Sequence, residues 1–159
     1  MKNYILRYGI IGGSLSIGLG LLNWFFIAQT FGYNASQFAG YSSIIIALLC
    51  IPLGITYFRD KLNNGAVSFA EGFKIGFGIT FVTSVIVSLY NMLFFVFAGD
   101  DFSKWYAKEQ AELQMAQLPD YILSPWFQGI VGLVMVLMIG SIVSLVSSLV
   151  LKSSKVNQN

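Results

Sequence analysis

Four apolar stretches, 5–28, 39–58, 69–98 and 126–151, occupy most of the 159-residue chain. Each is about 20 residues or longer, the length an α-helix needs to cross the hydrocarbon core of a bilayer. Backbone N–H and C=O groups in lipid must be satisfied within the spanning segment, which leaves the helix as the form these stretches can take. Charged residues make up 10% of the chain, against about 25% in soluble domains, so the solvent implied is lipid. The expected fold is all-α: four transmembrane helices in an antiparallel bundle, forming one membrane domain over 1–159. The lipid bilayer is its first partner.

The basic residues give that fold a direction. Lys2, Arg7, Arg59, Lys61, Lys74, Lys152 and Lys155 fall at one end of the spans, and only Lys104 and Lys108 at the other. Seven against two places both termini in the cytoplasm by the positive-inside rule. Trp24, Trp105 and Trp126 then all lie at the outer interface, where an amphipathic ring suits the headgroup layer. Lys2 and Arg7 before an apolar run resemble a signal peptide, but the run is too long for an h-region, and no small-residue cleavage pattern follows.

Local signals mark where the helices start and stop. Ser68-Phe69-Ala70-Glu71 reads as a capping box at the start of the third span. Ser124-Pro125 reads as an N-cap followed by proline at the first helical position. Pro52 should kink the second span. Arg59-Asp60-Lys61 and Asn63-Asn64-Gly65 read as a tight polar hairpin on the cytoplasmic side. The outer 3–4 connection contains a short amphipathic helix over 102–117, preceded by Asp100-Asp101 and stopped before Pro119. It is read as an interfacial connector, the alternative being a lid or docking element.

Helices in lipid associate through close packing and hydrogen bonds, so small residues mark the contact stripes. Candidate stripes are Gly9 with Gly13, Gly72 with Gly76, and the row Gly140, Ser144, Ser148. Asn23 and Asn91 lie at similar depth in the first and third spans. A hydrogen bond between their side-chain amides is expected, or a small outward-facing pocket that both would line.

Absences exclude several function classes. No Asp, Glu, Lys or Arg lies in the central third of any span, whereas proton relays and ion-coupled pumps use intramembrane ionisable groups. Histidine is absent and Cys50 is the one cysteine, so a Cys/His metal site has no ligand set. No cofactor motif, no nucleophile motif and no acid pair at membrane depth is present, so the chain does not read as an enzyme. A net charge of +2, split between the two ends, does not suggest nucleic acid.

The segment Tyr57-Phe58-Arg59-Asp60-Lys61-Leu62-Asn63-Asn64-Gly65-Ala66-Val67-Ser68-Phe69, followed by Gly72-Phe73-Lys74-Ile75-Gly76, resembles the DUF4199 family of small four-span bacterial membrane proteins. Leu6-Arg7-Tyr8-Gly9 and Gly40-Tyr41-Ser42 fit the same pattern. The resemblance implies a multi-pass protein of the bacterial plasma (inner) membrane with no established activity, and it supplies no catalytic, cofactor or metal residues. From the residues themselves, Arg59, Asp60, Lys61, Gly65, Ser68 and Glu71 are candidates for a structural hairpin or a docking point. The expected role is a non-enzymatic scaffold or accessory subunit, acting on itself or on another membrane protein. The alternative is a small transporter or channel component formed between copies.

Overall fold

The structure, a computed structural model, describes residues 2–113 and 119–153. Residues 114–117 of the expected outer helix and Lys155 of the tail lie outside the described residues. The elements are α1 (Lys2–Leu22), a π-helical turn (Asn23–Ala28), α2 (Gln29–Leu48), α3 (Cys50–Tyr57), a second π-helical turn (Phe58–Leu62), α4 (Phe69–Leu113), a 3₁₀ turn (Asp120–Leu123) and α5 (Pro125–Leu151). Three helical runs are long and apolar enough to cross a membrane: Asn3–Leu62, Phe69–Leu113 and Pro125–Leu151.

The first run does not extend straight. Gly32 holds φ 77° and ψ −167° inside otherwise helical backbone, a conformation essentially restricted to glycine. The residues after it travel back alongside α1. Tyr4 stacks on Phe58 with ring centroids 5.7 Å apart, and a Cβ on Gly54 would lie 3.4 Å from the Tyr8 ring. A Cβ on Gly12 would lie 3.0 Å from the Ala47 carbonyl oxygen. Gln29–Leu48 is therefore two helical pieces that meet at a kink, and the reversal is made at Gly32. A helical turn keeps nearly every backbone group bonded, which matters where the surroundings are apolar.

Pro52 acts as expected. The helix is interrupted at Leu49 and restarts at Cys50, because a proline ring displaces the carbonyl four residues earlier.

The separate outer helix is also corrected. α4 continues unbroken for 45 residues to Leu113, about 67 Å at helical rise. Gly99-Asp100-Asp101 forms part of it instead of a boundary. One glycine costs a helix only about 1 kcal/mol, and Ser103 Oγ bonds back to the Gly99 carbonyl at 2.8 Å. The 102–113 portion continues the same helix as a stalk.

α4 and α5 pack along their length in opposite senses, Gly72 against Ser148 and Gly76 against Ser144. α1 runs with α4 in the same sense, Gly9 against Val82 and Gly13 against Ile86. Leu48, Ile51, Ile55, Ile75, Ile79 and Val136 are closed off from solvent at the centre. Outward, Ile142 is 64% and Val150 75% exposed; an apolar exterior on that scale needs lipid to cover it.

Candidate functional site

The α4–α5 seam is packed to the limit of its backbones. A Cβ on Gly140 would lie 2.3 Å from Thr80 Cγ2, and one on Gly76 would lie 2.8 Å from Ser144 Cβ, so both glycines admit no larger residue without movement. Hydroxyls occupy the space that remains. Thr80 Oγ1 donates to the Gly76 carbonyl at 2.9 Å and meets Ser144 Oγ at 3.2 Å. Ser88 donates to the Gly129 carbonyl at 2.8 Å. Between α1 and α4, Thr83 Oγ1 donates to the Gly9 carbonyl at 3.2 Å. The small-residue stripes, Gly9, Gly13, Gly72 and Gly76 included, thus face other helices of the same chain.

The inner end carries the Arg59–Glu71 residues. Arg59 Nε donates to Asp60 Oδ1 at 2.6 Å. That bond, with the attraction of the Arg59 and Lys61 charges, holds the Asp60 carboxyl below the usual carboxylate range. Asn64 and Gly65 take positive φ, 51° and 79°, and make the turn. The capping box is present in both directions: Glu71 Oε2 accepts from the Ser68 backbone N–H at 2.9 Å, and Ser68 Oγ accepts from the Glu71 N–H at 3.3 Å. Ser68→Ala should lower stability by about 1 kcal/mol, read as a fall in melting temperature of a few degrees in detergent; no change would mean the box is redundant with the contact next described.

That contact joins the hairpin to the tail. Val67 and Ser153 exchange backbone hydrogen bonds at 3.1 and 2.9 Å, and Ser153 Oγ donates to the Gly65 carbonyl. An isolated pairing across so much sequence has no periodic or compositional signature. Arg59 is partly and Lys61 fully exposed beside this clasp.

At the other end, α4's stalk meets the reversal at Gly32. Glu109 Oε2 accepts from the Tyr33 backbone N–H at 2.8 Å and so caps the helix that restarts there. Trp24, Phe94, Phe102 and Trp105 make a continuous aromatic cluster beneath it, with centroids 5.5–5.7 Å apart. One carboxylate of the stalk thus helps to complete the reversal at Gly32 within α2. Lys108 and Glu112 lie 4.0 Å apart and well exposed, as their spacing implies.

Below the aromatic cluster, α2 packs sparsely on α4 and leaves a cavity of about 300 Å³ between α1, α2 and α4. Asn23 and Asn91 both line it, but the expected hydrogen bond between their amides is corrected. Asn23 Nδ2 donates to the Ser36 carbonyl at 3.0 Å, because the π-helical turn beginning at Asn23 directs that amide toward the returning helix. Asn91 instead rests on α5, where a Cβ on Gly132 would lie 2.2 Å from its Nδ2. Ser16, which stands in the four-apart row Gly12, Ser16, Gly20, and Tyr90 add to a polar lining that also includes Ser36, Gln37, Tyr41 and Ser43. Tyr90 adjoins Asn91 in sequence, and Ser16 lies about two helical turns before Asn23. Among the described residues no acidic or basic side chain lines the cavity, and no cluster of three or more His, Cys, Asp or Glu is placed to hold a metal.

A family model described as "Protein of unknown function (DUF4199)" matches residues 7–153, nearly the whole chain. No curated protein and no solved structure matches.

Proposed function

Starting from the fact that the chain belongs to the DUF4199 family, whose description assigns no activity, we propose that it is a four-crossing protein of the bacterial inner membrane that works by contact, not by chemistry. In this reading α1, the α2–α3 pair, the inner part of α4, and α5 each cross once as an antiparallel bundle. Both termini and the Arg59–Gly65 hairpin face the cytoplasm. The protein serves as a scaffold or accessory subunit, for itself or for another membrane protein. The observation that supports this best is the glycine–hydroxyl seam. Its polar side chains bond to backbone carbonyls of neighbouring turns and helices, and no acidic or basic side chain stands among them to perform a reaction.

The outer cavity is the feature that favours a transport reading. Inward of it, however, Leu48, Ile51 and Ile79 are at most 1% exposed, so an apolar plug separates the cavity from the inner face of a single copy. Reconstituted alone in liposomes, the protein should pass neither ions nor small solutes, and in mild detergent from its native membrane it should migrate as a complex. Solute flux through the purified protein would overturn the scaffold reading.

Orientation has its own test. With cysteine introduced at Asn64 in a Cys50→Ala background, a membrane-impermeant maleimide should label only after the cells are permeabilised. Labelling from outside intact cells would invert the whole map.

A further inference from the structure

The cavity between α1, α2 and α4 holds polar side chains with nothing in the protein to bond. Ser16, Tyr90 and Asn91 line it, and none of their side chains makes a hydrogen bond among the described residues. Asn23 Oδ1, buried beside them, also has no partner. Asn91 lies about 25 Å beyond Lys74 along α4 and about 13 Å short of Asp100 at ~1.5 Å per residue, which places it within the apolar layer. There, each unbonded donor or acceptor is costly. Donors and acceptors from two helices converging on one space of about 300 Å³ call for an occupant that carries both.

Three observations restrict what that occupant is. The lining carries no charge, and desolvating an ion there would have no compensating partner. Trp24, Phe94 and Phe102 give it aromatic walls, and Trp24 meets Phe94 and Trp105 edge-on. On the flank, α2 stands off α4 and its Tyr41 is 49% exposed, so access runs sideways, from lipid. We propose that this cavity binds the hydroxyl-bearing head of an uncharged lipid from the outer leaflet, with the hydroxyl among Ser16, Tyr90 and Asn91 and the acyl part leaving past α2. The leaflet is named from the orientation proposed above. The site itself does not depend on that orientation, because binding is read on purified protein.

The test is native mass spectrometry of the detergent-purified protein titrated with dioctanoylglycerol, compared with trioctanoylglycerol, dioctanoylphosphatidate and glycerol. One dioctanoylglycerol should bind saturably. Trioctanoylglycerol has no free hydroxyl and the phosphatidate is charged, so both should bind at least about tenfold more weakly, the scale of one lost hydrogen bond in a dry site. Asn91→Leu should weaken dioctanoylglycerol by a similar factor. Gly40→Leu provides a second variant: Gly40 lines the cavity and a Cβ there meets only Asn23 Nδ2, at 3.7 Å, so a leucine side chain should occupy the cavity and block binding with the melting temperature kept. Equal binding of trioctanoylglycerol or phosphatidate, displacement by glycerol, or indifference to both variants would overturn the proposal. Absence of any saturable binding would overturn it too and identify the cavity as a water pocket.

Discussion

Gly140→Leu is expected to abolish assembly of the native protein, leaving only aggregate or monodisperse-but-molten material after extraction in mild detergent. The reason is geometric. Even the first carbon of a side chain at 140 would fall 2.3 Å from Thr80 Cγ2 and 2.7 Å from Thr80 Oγ1, inside the contact distance of any real pair. Thr80 is completely buried and its hydroxyl already lies between the Gly76 carbonyl and Ser144, so it has nowhere to retreat. Gly140→Ala, the milder change, should cost about 1–3 kcal/mol as overpacking, a fall in melting temperature of roughly 3–10 °C for a chain of this size. Gly18→Ala is the control, because a Cβ there meets nothing within 4 Å and alanine favours helix; it should be neutral or slightly stabilising. Thr80→Ala combined with Gly140→Ala should recover part of the loss, since neighbours that share a clash do not add. If Gly140→Ala and Gly18→Ala melt alike, α4 and α5 are not in the close contact described.

That seam is legible in the residue order because its signal is local. Small residues four apart form a stripe on a helix whatever the helix meets, and only the identity of the facing stripe comes from three dimensions. Ser68 and Glu71 are legible for the same reason, as are Ser124 and Pro125: Ser124 Oγ does accept from the Phe127 N–H, at 3.4 Å. Depth is also readable, which is how Asn23 and Asn91 come to the same cavity. Their bonding partners are not. Asn23 reaches Ser36 because a π-helical turn and a reversal nine residues later set the geometry, and neither leaves a pattern in residue type. Gly99-Asp100-Asp101 looks like a helix boundary because those residues favour ends and turns in isolation. Packing of Phe95, Phe102 and Trp105 against Trp24 and one another outweighs that preference and carries α4 through. Glu109 misleads by the same logic. Its place beside Lys108 and Glu112 suggests an exposed charged face, whereas its carboxylate reaches a backbone N–H 76 residues earlier.

Glu109 and Gly32 together yield the second large effect. Gly32→Ala should destabilise the protein by about 1–3 kcal/mol from backbone conformation alone, because φ 77° with ψ −167° is closed to a residue with a Cβ. A further loss follows from position: that Cβ would sit 2.9 Å from Glu109 Oε2. The carboxylate can swing away, but doing so releases the Tyr33 N–H it caps and leaves a helix terminus unsatisfied near the membrane surface. Glu109→Ala should lose only the cap, about 1 kcal/mol. The double variant should then cost less than the two single changes together, since in it the clash has already been removed. Melting curves of the three variants in one detergent decide the matter. A neutral Gly32→Ala would mean the chain does not reverse at this residue, and α2 would lose the placement on which the cavity beside it depends.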